Sequence, residues 1–118
     1  GLFRNEAADS LSGYVVPQES GNRTGVRRVT ITNEEGKGIH ILAPATNPVE
    51  CRISPYTAFE LENAYHQYEL PPVYYTVVTV AGKQMGVGGD DSWGAPVHEK
   101  YRIPSDGILE YEFVISRV

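Results

Sequence analysis

Cysteine is nearly missing from this chain. Cys51 stands alone, so no disulfide can close within the sequence, and no Cys/His spacing suggests zinc. Positive charge is also sparse: ten Lys and Arg face fifteen Asp and Glu, for a formal charge of −5. Only Arg27 and Arg28 are adjacent, which argues against the basic face that nucleic acid binding needs. No apolar run approaches the roughly 20 residues required to cross a bilayer. The chain opens G-L-F-R-N-E-A-A-D-S, without a Met and without a signal-peptide pattern, and so reads as a piece of something longer. Phosphate-binding and nucleophile-elbow motifs are missing as well: there is no P-loop, no G-x-S-x-G, and no G-x-G-x-x-G between a strand and a helix. The G-V-G-G run lacks the Lys and the helix that a phosphate cradle requires.

With 118 residues, the chain is predicted to form one domain over 1–118. A globular chain of this size buries about two-thirds of its extended surface, enough for a core of its own. The prevailing hydrophobic period is two, the mark of half-buried strands. Residues 26–32 are rich in β-branched side chains, N-E-E-G-K-G at 33–38 turns the chain, and 39–43 completes a hairpin. Val49, Cys51 and Ile53 alternate with Glu50, Arg52 and Ser54, predicting a strand with one buried face and Cys51 packed as a small hydrophobe. The run V-Y-Y-T-V-V-T-V at 73–80 is the strongest strand signal. Residues 108–117 place Leu109, Tyr111, Phe113 and Ile115 on one face, after a P-S-D-G turn. Tyr14, Val15 and Val16 add a short extended piece that Pro17 stops. One helix is predicted, because Thr57 precedes Glu60 at capping-box spacing and Ala58, Leu61 and Tyr65 share a helical face. Short strands, frequent turns and one short helix predict an all-β antiparallel β-sandwich.

The most distinctive segment is M-G-V-G-G-D-D-S-W-G-A-P at 85–96. It holds the only Met, the only Trp and four of the twelve glycines. Glycine permits a backbone with φ > 0 or a close approach to a ligand. An indole is a broad platform with one N–H donor, suited to stacking on a sugar face, although a large aromatic can equally cap a core. Asp90 and Asp91 are a poor glycosidase pair. Such carboxyls flank the scissile bond about 5–9.5 Å apart, whereas adjacent residues in extended backbone point to opposite sides. Both acids read as turn residues that bond backbone N–H groups. Paired Asp can ligate Ca²⁺, but no EF-hand spacing follows. His40, His66 and His98 have no sequence relation to a Ser or Cys nucleophile and read as structural. Tyr74, Tyr75, Tyr101 and Tyr111 read as strand scaffold. Asn22-Arg23-Thr24 matches a glycosylation sequon, a pattern short enough to arise often by chance.

Three of these segments resemble a known family. P-Q-E-S-G-N-R-T-G-V-R-R at 17–28 is similar to the P-x-E-x-G-x-R-x-x-x-R strand and turn of lac-type bacterial β-galactosidases, glycoside hydrolase family two. S-P-Y-T-A-F-E-L-E-N-A at 54–64 resembles their R-Y-S/T-x-x-x-L segment. M-G-V-G-G-D-D-S-W-G resembles their M-G-I/V-G-G-D-D-S-W motif almost letter for letter. One departure is Ser20, where many relatives carry Asn before the Gly. The resemblance covers most of the chain from Tyr14 onward and is weakest over 1–13.

The resemblance implies the C-terminal portion of the small-chain β-sandwich, of galactose-mutarotase-like (supersandwich) type, in a larger enzyme. It implies that the catalytic glutamates lie on a separate (β/α)₈ barrel of about 250 residues, leaving no catalytic residue here. It implies no cofactor or metal in this chain, the family's Mg²⁺ and Na⁺ being bound by other domains. Trp93 is then the substrate-binding residue, on the sugar or aglycone side of the active site, with Gly88, Gly89, Asp90, Asp91 and Ser92 as loop scaffold. The implied partners are the rest of the polypeptide and the galactoside, with a homo-oligomer left open, in a bacterial cytoplasm or periplasm. Read without the resemblance, the residues also fit a free-standing, lectin-like carbohydrate-binding module, or a purely structural role in subunit contacts.

Overall fold

A computed structural model describes residues 4–85, 90–91 and 93–118. Among the described residues six strands are present: β1 (Arg23–Val26), β2 (Arg28–Thr32), β3 (Gly38–Leu42), β4 (Val49–Ser54), β5 (Val77–Ala81) and β6 (Val114–Arg117). One short helix, α1 (Ala58–Glu62), and three 3₁₀ turns complete the elements of the described residues. The strands form two antiparallel three-stranded sheets, ordered β1-β4-β5 and β2-β3-β6. The chain is therefore all-β with one short helix, the element content of a β-sandwich. It divides into two compact units, one of Gly1–Gly25 with Cys51–Val80, the other of Val26–Glu50 with Ala81–Val118.

β4, whose residues from Cys51 onward lie in the first unit, is the central strand of its sheet and is covered far more completely than alternation predicts. Val49 and Cys51 are buried, and so are Arg52 and Ser54 on the face predicted to be outside. Burying a guanidinium is costly unless its donors are answered, and two of the three Arg52 nitrogens are, while Nη2 is buried without a partner. Here Arg52 Nε donates to the Ser20 carbonyl at 3.2 Å and Nη1 to Glu19 Oε2 at 2.5 Å. The P-Q-E-S-G segment thus covers the second face of β4, with Pro17 also buried. The predicted capping box is present. Thr57 Oγ1 accepts from the Glu60 N–H at 3.1 Å, and Glu60 Oε2 accepts from the Thr57 N–H at 2.7 Å. Leu61 is buried, but Tyr65 falls beyond the helix and is 73% exposed, because the helix ends with Asn63 as its cap.

In the second unit, β2 and β3 pair as the predicted hairpin, with Thr30 opposite His40 and Val29 opposite Ile41. Asn33 builds the turn. Its side-chain oxygen accepts from the Glu35 and Lys37 N–H groups, while Gly36 takes φ 78°. Gly38, predicted to lie in the turn, is the first residue of β3. Ile41 is buried at the centre of the sheet, between Val29 of β2 and Ile115 of β6. Two predicted strands are shorter than expected. Of residues 73–80 only those from Val77 join a ladder, and of 108–117 only those from Val114. The remainder is held by side chains. Tyr75 bonds Glu60, and Tyr111 stacks on Phe113 with ring centres 6.3 Å apart. Tyr101 lies in a 3₁₀ turn, not a strand, and Tyr14, Val15 and Val16 join no strand.

Candidate functional site

The Trp loop belongs to the second unit. It runs between β5 and the 3₁₀ turn at Glu99–Tyr101. Trp93 is 92% exposed, the most exposed of the large apolar side chains described. Its indole is therefore held by its backbone, with almost no packing around the ring. Asp91 supplies that hold. Its Oδ1 accepts from the Trp93 N–H at 2.8 Å and from the Ala95 N–H at 3.2 Å. These two donors, Trp93 first, keep the Asp91 carboxyl below its ordinary pKa, because both bonds favour the charged form. Gly94 follows with φ 124°, a conformation that side-chain-bearing residues rarely adopt.

Asp90 reaches His98, with Oδ1 2.9 Å from the ring Nε2. His98 opens the 3₁₀ turn, its carbonyl accepting from the Tyr101 N–H at 2.9 Å. The Tyr101 ring meets its imidazole edge-on at 6.5 Å. Sequence reasoning passed over His98, since it stands in no recognisable spacing with the acids. Gly88, Gly89 and Ser92 of the predicted scaffold lie outside the described residues.

The other histidines are engaged elsewhere. His40 Nδ1 lies 2.8 Å from Thr30 Oγ1 across the β2–β3 ladder, and His66 stacks on Tyr68 at 5.1 Å. Glu60 and Glu69 are held below the ordinary carboxylate range. For Glu60 the leading cause is the Tyr75 hydroxyl, followed by Thr57; for Glu69 it is the Tyr65 N–H. A glycosidase general acid needs the opposite perturbation. Among the described residues there is no group of three or more His, Cys, Asp and Glu that could hold a metal ion. A groove of about 570 Å³ is lined by Asn47 and by residues from Leu109 to Glu112, apart from the Trp loop in sequence. No described helix is long and apolar enough to cross a membrane.

Comparison with known proteins adds to this geometry. Residues 1–115 match the family described as "Beta galactosidase small chain". The chain is 65% identical over 116 residues to a beta-galactosidase of Halalkalibacterium halodurans, covering 98% of this chain and 11% of that protein. It is 36% identical over 116 residues to a beta-galactosidase of Streptococcus thermophilus, covering 98% of this chain and 11% of the relative. A beta-galactosidase small subunit of Latilactobacillus sakei is 36% identical over 115 residues, covering 90% of this chain and 36% of the subunit. The chain thus spans a small part of the length of these relatives.

Proposed function

Because this chain belongs to the β-galactosidase small-chain family, we propose that it is a non-catalytic portion of a larger β-galactosidase, which completes the active site with Trp93. The parent is a family-two glycoside hydrolase acting on terminal β-D-galactosides, and this portion is C-terminal within it. The catalytic barrel and the first half of the sandwich are its partners in the same assembly. The observation that carries this reading is the isolation of Trp93: an indole 92% exposed, on a backbone pinned by Asp91. A solvent-facing indole contributes nothing to a core. Laid against the apolar C–H face of a pyranose, it offers area and one N–H donor.

The non-catalytic assignment rests on the carboxyls. Hydrolysis with either stereochemical outcome needs two acidic groups across the glycosidic bond. Asp91 is consumed by backbone N–H groups and Asp90 is joined to His98. Glu60 and Glu69 are stabilised as carboxylates, which opposes proton donation. Metal chemistry likewise belongs to other parts of the parent. The small share of each relative that the chain covers favours this reading over a free-standing lectin-like module.

The test is Trp93→Ala in the full-length enzyme. Loss of an aromatic stack of about 0.5–1.5 kcal/mol corresponds to a rise in KM of about two- to tenfold, with Trp93→Phe retaining part of the affinity. Unchanged KM and unchanged partitioning to every sugar acceptor in Trp93→Ala would overturn the site assignment.

A further inference from the structure

Trp93 has almost no packing to hold its ring, so the loop backbone must do so. Asp91 makes the local tie, but its two bonds reach only to Trp93 and Ala95. The Asp90–His98 contact spans the whole stretch, with Trp93 between its ends. His98 is itself mounted on braced structure. Its carbonyl caps the 3₁₀ turn, Tyr101 lies edge-on to its ring, and Lys100 Nζ sits 4.6 Å from the centre of the Tyr101 ring. Next to it, the Arg102 Nε donates to the Val97 carbonyl at 2.9 Å. One end of the clasp is therefore fixed to the turn, and the other is the acid preceding the one that holds Trp93.

We infer that His98 is a positioning residue for the galactoside reaction: its ring N–H holds Asp90 and thereby sets the flank of the loop from which Trp93 meets the sugar. This inference rests on the reading that Trp93 contacts substrate. A ligand that meets an already ordered loop does not lose affinity to ordering it. Asp90 and His98 are partly solvated, with side-chain exposures of 84% and 47%. Exposed pairs of this kind change a binding constant by about two- to fivefold. The effect therefore falls on KM more than on the chemical step.

The experiment measures KM, kcat and galactose inhibition in the full-length enzyme for His98→Ala, His98→Gln, Asp90→Ala, Trp93→Ala and His98→Ala/Trp93→Ala. His98→Ala and Asp90→Ala, which break the clasp from opposite ends, are each expected to raise KM about two- to fivefold, with kcat almost unchanged. His98→Gln, whose amide can still donate to Asp90, recovers most of the loss. In the double variant the His98 effect disappears, because no indole remains to be positioned. Unchanged KM in Asp90→Ala, or losses that multiply in the double variant, would overturn the positioning role. If Trp93→Ala alone leaves KM unchanged, the substrate-contact reading fails instead, and the two failures are told apart.

Discussion

A tryptophan in water gains nothing from burial, so its placement must be explained by the bonds of its own backbone. Asp91 provides two of them, from Trp93 and Ala95. Removing that acceptor in Asp91→Ala leaves two N–H groups to solvent and loosens the turn. In the full-length enzyme its KM should move toward that of Trp93→Ala, while Asp91→Asn, whose amide oxygen still accepts, should stay nearer the parent. Steady-state kinetics of the pair check this. Asp91 was legible as turn chemistry because Asp bonding to a backbone N–H two residues on is a local habit, whereas Asp90, read the same way, meets the His98 ring instead. The link from Asp90 to His98 was not legible, since a side-chain pair carries no periodicity. Arg52 makes the same point. Glu19 stood out as part of a motif, but nothing in the sequence ties it to a guanidinium 33 residues further on.

Elements with local causes were read correctly. Thr57 and Glu60 announce α1 by spacing, and Asn33 with Gly36 announces the hairpin turn. Their limits followed neighbours that the sequence does not display. Gly38 illustrates this: a Cβ there would stand 1.8 Å from the Ile31 carbonyl oxygen and 2.8 Å from the Thr32 Cα. Its carbonyl also accepts from the Val118 N–H at 3.1 Å, so it is held from both sides. Gly38→Ala should therefore push β3 off β2 and cost at least about 1–3 kcal/mol. A lowered urea midpoint, against a near-neutral Gly107→Ala control with open space at its Cβ, would record it. The strand runs at 73–80 and 108–117 were overextended for a related reason. Tyr75 and Tyr111 spend their side chains on Glu60 and Phe113, away from any ladder.

Across the whole molecule, five perturbed ionisations set a pH window. Glu60, Glu69 and Asp91 all have depressed pKa values, through the Tyr75 hydroxyl, the Tyr65 N–H and the Trp93 N–H respectively. A depressed folded pKa gives stability that is present above the unfolded value, about 4, and lost as pH falls through the folded one. Tyr75 and Cys51 are raised, the first by its bond to Glu60 and the second by burial. Their contribution is present at neutral pH and fades as pH rises past about 9–10. Thermal melts followed by circular dichroism should show a plateau between these limits and a fall on either side.

The sequence by itself determined the all-β class, the capped helix, the hairpin turn and the family, because each depends on residues close together in the chain. Tertiary structure alone decided that β4 is central between β1 and β5, that Arg52 is buried, and that His98 clasps the acid before the Trp turn. Those outcomes depend on side chains meeting after the chain has folded back, and no local pattern of residues encodes such a meeting.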